Sequence, residues 1–290
     1  MRKIIAILFV SFASVCLLFS QTYESAIKII REEGVTKEMH YCKTTFFAEC
    51  IDYCDYHLIF ELTDGYGLPR AIRSFVVSSG KEELYESNCE YSLIFRFYRG
   101  NLHKKPKFDF AYCLPVAKNQ TTSIEVLKSY GYQMSFKLPS DTIYACRDGI
   151  VCNDNLSDDT TEGYSAFNRS RWLSQITIYH DDGSFGQYTF QGEPLIYPGE
   201  NIKMGMPIAV IKENLKSVMF SVYYLDESKV KNKESESKHS YLQPFFQTHH
   251  LEKTHLESNK SYICELNDEM QMQDMNKREK NKFLKNKLKR

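Results

Sequence analysis

Thr142-Ile143-Tyr144-Ala145-Cys146-Arg147-Asp148-Gly149-Ile150-Val151 is the most telling segment of the chain. Short apolar runs on both sides of an Asp-Gly pair are the pattern of two strands joined through a turn. Working outward, His180-Asp181-Asp182-Gly183-Ser184 opens a second such turn that runs on to Tyr188. A third stretch, Tyr197-Pro198-Gly199-Glu200-Asn201-Ile202-Lys203-Met204-Gly205-Met206-Pro207-Ile208, punctuates a further hairpin with Pro and Gly. Upstream, candidate strands at 56–62, 71–78, 91–98 and 108–114 are separated by Asp64-Gly65, Ser79-Gly80 and Arg99-Gly100. Strands at this spacing predict a small sandwich-like domain. Residues 24–31, ending at Gly34, read as a short amphipathic helix. Residues 153–171 and 226–239 read as exposed loops, and strands near 242–247 and 260–265 return to the sheet.

Composition agrees with a packed, strand-rich chain. Hydrophobic residues make up 42% of the 290 residues, which excludes general disorder. The 20 Tyr and 19 Phe favour strands, where aromatic side chains pack well. Lys and Arg number 37 against 37 Asp and Glu, so the overall charge does not point to nucleic acid. Arg2-Lys3, an apolar run from Ile4 to Phe19, and Ser20-Gln21-Thr22 have the form of a secretory signal peptide, too short for a stable membrane span. Export to the periplasm, the cell envelope or the extracellular space is therefore expected, with cleavage near Ser20. Cys16 raises a lipoprotein alternative, against which Val15 stands where a small residue is expected. The eight remaining cysteines (Cys42, Cys50, Cys54, Cys89, Cys113, Cys146, Cys152, Cys264) suggest disulfides in an exported chain. Sequence alone does not choose the pairing, although Cys146 and Cys152 flank the Asp148-Gly149 turn and can approach across it.

The three stretches together resemble the β-sheet core of the lysostaphin/LytM-type zinc endopeptidases, which cut peptidoglycan cross-bridges. The resemblance covers residues 123–265 and implies an antiparallel sheet of the barrel-sandwich hybrid type, with the duplicated hybrid motif of that family. Active relatives hold zinc with three protein ligands and leave one position open for the water that attacks. Relatives read Y-A-V-D-F-x-x-P before the first core strand; here Tyr132-Gln133-Met134-Ser135-Phe136-Lys137-Leu138-Pro139 puts Ser135 at the ligand Asp. No His lies between His103 and His180 to supply the first ligand. The Y-x-H position reads Tyr188-Thr189-Phe190, with Phe190 at the His. The closing P-H-L-H-F-E-V aligns with Lys216-Ser217-Val218-Met219-Phe220-Ser221-Val222, with Ser217 and Met219 at the two His. Hydroxyl, thioether and phenyl groups are poor zinc ligands. The resemblance thus implies a catalytically inactive relative, with no metal and no cofactor, and a binding groove lined by Tyr132, Ser135, Tyr188, Phe190, Ser217 and Met219.

His180 opens the His-Asp-Asp-Gly turn, where local hydrogen bonds, not a metal, are expected to hold it. His249, His250 and His255 lie in a segment expected to be a solvated hairpin. The end of the chain is basic: Lys277 to Arg290 holds eight Lys and Arg against Glu279. It reads as a solubilising tail or as an anchor for anionic envelope surfaces. The expected organisation is a signal peptide at 1–20, a helix and sandwich-like domain at 21–122, the peptidase-like domain at 123–265 and a basic tail at 266–290. The functional expectation is a mainly β envelope protein that binds peptidoglycan or regulates a cell-wall hydrolase. The alternatives are an active zinc peptidoglycan endopeptidase with relocated ligands and a disulfide-braced structural or adhesion module. Neither a nucleic-acid partner nor a membrane span after signal cleavage is expected.

Overall fold

The computed structural model describes residues 24–35, 42–63, 69–87, 92–127, 132–157, 173–212, 216–232, 235 and 237–287. The expected signal peptide, Cys16, the Asp64-Gly65 turn, Cys89 and most of the loop at 153–171 lie outside these residues. The protein is mainly β, as the alternating patterns predict, with several sheets and, among the described residues, three short helices: α1 (Glu227–Lys231), α2 (Asp268–Met272) and α3 (Lys277–Lys287). Among the described residues no helix is long and apolar enough to cross a membrane.

The N-terminal part consists of two three-stranded antiparallel sheets. One has Cys42–Cys50 between Ile27–Val35 and Gly80–Ser87; the other has Tyr56–Thr63 between Pro69–Val77 and Ser92–Arg99. Alternation decides which residues go inside: Phe46, Ala48 and Cys50 of one sheet and Tyr56, Leu58 and Phe60 of the other are buried. Phe46 meets Phe60 edge-on at 6.4 Å between ring centroids, and Tyr56 lies 6.1 Å from Phe97. The helix expected at 24–31 is not formed. Ile27–Val35 is a strand that pairs with Cys42–Cys50 from Ile27↔Cys50 to Val35↔Cys42. Ile27, Ile29 and Ile30 are β-branched, and a full ladder with a neighbour outweighs a weak helical periodicity.

The larger part is a sheet with the strand order Asn201–Ile202, Gly149–Val151, Ser174–Tyr179, Ser184–Phe190, Ser217–Leu225, Gln133–Lys137, Thr121–Leu127, Ser261–Ile263. His239–Leu242 also pairs with Ser217–Leu225. A separate sheet of Thr142–Tyr144, Pro207–Ile211 and Gly192–Pro194 packs nearby. The large sheet stays open between its two edge strands, so the expected barrel element of the hybrid is corrected to an open sheet. The loop expected at 226–239 includes α1, capped by the Asp226 side chain, which accepts from the Ser228 N–H.

Residue parity divides the sheet between two cores. Ile176, Tyr188, Phe220 and Met134 are successive cross-strand partners and are buried with Phe136, Phe190 and Val218 in the main core. Tyr179, Phe185 and Tyr223 point to the opposite face and join the core of the N-terminal sheets. Phe110, Tyr112, Cys113 and Leu114 belong to the main core, and the expected boundary after residue 122 falls inside the Thr121–Leu127 strand. The chain crosses between the two parts at Gly100. Its φ is +122°, and a Cβ there would sit 2.7 Å from Leu225 Cβ. Gly100→Ala is expected to destabilise the protein by about 2 kcal/mol or more through strain and overpacking together. An unchanged urea midpoint would refute this close approach.

Candidate functional site

The first two stretches that flagged the fold are tied together by one buried charge network, and the neighbouring Asp148 reaches the third. Arg147 follows a core Cys and is itself fully buried. Its Nη1 donates to Asp182 Oδ2 at 2.9 Å, to Tyr112 Oη at 3.2 Å and to Ser184 Oγ at 3.3 Å. Nε and Nη2 donate as a fork to Asp274 Oδ2 and Oδ1 at 2.8 and 2.9 Å. The guanidinium also lies over the Phe110 ring, 3.8 Å from its centroid. Asp182 is saturated further by the Ser184 hydroxyl at 2.6 Å and the Lys107 N–H at 2.7 Å. Burial raises the Asp182 pKa, but the Arg147 charge and these hydrogen bonds outweigh it and hold the carboxyl well below the usual range.

Asp148 reaches the third stretch. Its Oδ1 accepts from the Met204 N–H and its Oδ2 from Lys203 Nζ, both at 2.7 Å. His180 stands in its turn as expected, its N–H donating to Ser184 O at 2.9 Å. The ring is more committed than a turn residue needs to be: it is buried, with Nδ1 2.6 Å from Asp148 O. Burial first, and then the Arg147 charge, pull its pKa down to about 4, against the opposing Asp182 carboxylate. His180 is therefore a neutral donor at physiological pH.

In front of this network lies a half-open cleft of about 540 Å³. Asp148, Gly149, Asp181 and Lys203 come from the motif turns, Tyr53 from the N-terminal part, and Glu279, Lys282 and Phe283 from α3. Tyr53 is fixed against Gly199, whose φ is +89° and where a Cβ would be 2.7 Å from the Tyr53 ring. Tyr179, also in the wall, donates its hydroxyl to Asp55 at 2.7 Å. Acid, base and aromatic groups thus line one concavity. Residues 266–275, expected within a basic tail, form part of this structure: Asn267 caps α2 by accepting from the Met270 N–H, and Asp274 grips Arg147.

The groove residues expected from the resemblance do not come together as one lining. Ser135 and Met219 are direct cross-strand partners, and the row continues through Thr189 to Gln175 on one side and to Glu125 on the other. Ser217 lies on the same face and is exposed. Tyr188 and Phe190 point to the other face and are buried in the main core, where the Tyr188 hydroxyl accepts from the Cys146 N–H at 2.7 Å. The groove expectation is therefore corrected for these two: the strand's period of two turns them away from Ser135 and Met219. Tyr132 is half-buried just before the Gln133–Lys137 strand. The Ser135–Met219 row offers hydroxyl, thioether and amide groups and one carboxylate, which does not fit zinc.

Cys146 and Cys152, expected to approach across the turn, are separated into the two cores. The six described cysteine side chains are free and buried. His249 contacts Glu265 at 3.2 Å, and His255 stacks on Phe245 at 3.9 Å between centroids. Among the described residues the three do not form a metal-binding group. Sequence reading missed Tyr53 and Asp274, because both reach the cleft from distant parts of the chain with no local motif around them.

Arg147→Met leaves Asp182 and Asp274 buried without their cation and is expected to cost about 3–5 kcal/mol, read as a lower urea midpoint. The His180 pKa lies below its unfolded value of about 6.5, so below that pH the unfolded chain binds a proton that the folded protein refuses. Stability therefore falls by about 3 kcal/mol as pH drops from about 6.5 to about 4. Denaturation curves across this range should flatten in His180→Asn; equal slopes in both proteins would remove His180 as the cause. No family model, curated protein or solved structure matches this chain.

Proposed function

We propose that this chain is a non-catalytic protein of the bacterial cell envelope that binds peptidoglycan, using a LytM-like sheet as a scaffold. The single observation that carries this reading is the cleft at the motif turns. Its walls carry the carboxylates of Asp148, Asp181 and Glu279, the ammonium groups of Lys203 and Lys282, and the rings of Tyr53 and Phe283. Such a lining suits a ligand that carries amines, carboxylates and sugar faces together, which is the chemistry of a glycan with peptide stems. The donor set in the Ser135–Met219 row supports binding without hydrolysis, since the residues that would hold zinc are replaced. Helix α3 adds a cationic rim, and clustered Lys and Arg gain roughly 1 kcal/mol each near an anionic surface. The signal-like segment at residues 1–20 supports the proposed secretion and envelope location.

Purified protein incubated with insoluble peptidoglycan is expected to sediment with it. Lys203→Glu combined with Asp181→Lys reverses the cleft's charges and should lower the pelleted fraction about tenfold, the equivalent of 1.4 kcal/mol. Thr189→Arg, in the Ser135–Met219 row, should leave it unchanged. Loss only in Thr189→Arg would move the site to that row. A wild-type protein that stays in the supernatant would overturn wall binding and favour a protein partner such as a cell-wall hydrolase.

A further inference from the structure

Behind Tyr53, where the N-terminal sheets meet the large sheet, Asp52, Cys54 and Cys152 form a buried group whose ligating atoms all lie within 4.8 Å of one another. Taken alone, two thiols and a carboxylate suggest a metal. The hydrogen bonds exclude that use. Asp52 Oδ1 accepts from the Tyr53 and Asn153 N–H groups, both at 2.7 Å. Asp52 Oδ2 accepts from Tyr56 Oη at 2.8 Å, Arg99 Nη2 at 2.9 Å and Cys54 Sγ at 3.4 Å. Every lone pair of the carboxylate is taken, and the Arg99 guanidinium supplies the positive charge a cation would bring. Arg99 is itself fixed by Asp154 Oδ1 and Asn153 O, both at 2.9 Å. What remains is a pair of neighbouring thiols, one from each part of the protein, both only 2% exposed.

We propose that Cys54 and Cys152 are joined by a disulfide in the exported protein. The reaction is thiol–disulfide exchange with a small disulfide oxidant. One cysteine thiolate attacks the oxidant's S–S bond and releases one thiol, and the second cysteine then displaces the other from the mixed disulfide. In sum, two protein thiols and one small disulfide become one protein disulfide and two small thiols. Burial, first, and the neighbouring Cys152 hold the Cys54 thiol protonated in the folded state, so the exchange takes place while the chain folds. Asp52, by gripping the N–H groups of Tyr53 and Asn153 at once, aligns the two segments before the bond closes. Cys50, close in sequence, is outside the group: its Sγ is directed to Asp52 O at 3.8 Å. The bond would fasten the Tyr53 wall of the cleft to the end of the Gly149–Val151 strand. It is independent of which ligand the cleft takes.

The test is to refold the full chain with reduced and oxidised glutathione, block remaining thiols under denaturing conditions, digest it and map the peptides by mass. A linked pair carrying Cys54 and Cys152, lighter by two hydrogens than the separate peptides and split by reductant, is expected. Reductant should lower the melting temperature of the wild type by roughly 10 °C, given the long loop the bond closes. The double variant Cys54→Ser/Cys152→Ser should be insensitive to it. Recovery of both cysteines as blocked thiols, or linked to other cysteines such as Cys50, overturns the proposal. So does stoichiometric zinc, added as the free ion, that protects both thiols from blocking. The mapping uses the wild type, so a variant that fails to fold does not affect it.

Discussion

Arg147 is the charge around which the larger part of this protein is organised. A guanidinium without solvent contact is tolerable only where its donors are matched, and here two carboxylates, a phenol and a hydroxyl accept from it while an aromatic ring covers its face. Its acceptors come from far apart in the chain: Tyr112 before the sheet begins, Asp182 in the second turn, Asp274 after the last strand. Apolar packing alone would let these segments slide over the sheet. A fork of directed hydrogen bonds gives them one position each.

The same economy is visible in the large sheet, which serves two cores at once. Tyr188, Phe190, Val218, Phe220 and Val222 fill one core, while Phe185 and Tyr223 stack at 5.1 Å on the other face. Neither part is a bead on a string. The N-terminal sheets complete their interior with side chains borrowed from the large sheet, and they cover the end of that sheet's face where Tyr179, Phe185 and Tyr223 lie.

Much of the strand content was legible in the sequence because alternation and turn residues are local signals. The runs near residues 56–62, 71–78 and 91–98 match observed strands within a few residues. Ile27–Val35 was misread because its periodicity is ambiguous and its pairing partner is invisible to a short window. The cleft was legible only in part. Asp148, Asp181 and Lys203 lie in turns that stand out, whereas Tyr53 and α3 arrive through tertiary packing. The family-like motifs marked Tyr188 and Phe190 as lining, yet strand parity sets them in the core, where Tyr188 props the segment that carries Arg147. Motif alignment reports positions along a chain; it does not report the side of a sheet.

The lateness of Asp274 has a consequence for how the protein is made. Its carboxylate meets Arg147 from 127 positions further along the chain, and α2 places it there. During synthesis the arginine emerges long before its second anion, so the interior of the large sheet stays electrostatically unfinished until Asp274 has left the ribosome. A nascent chain of this kind has little reason to commit early, a delay that would serve the proposed export.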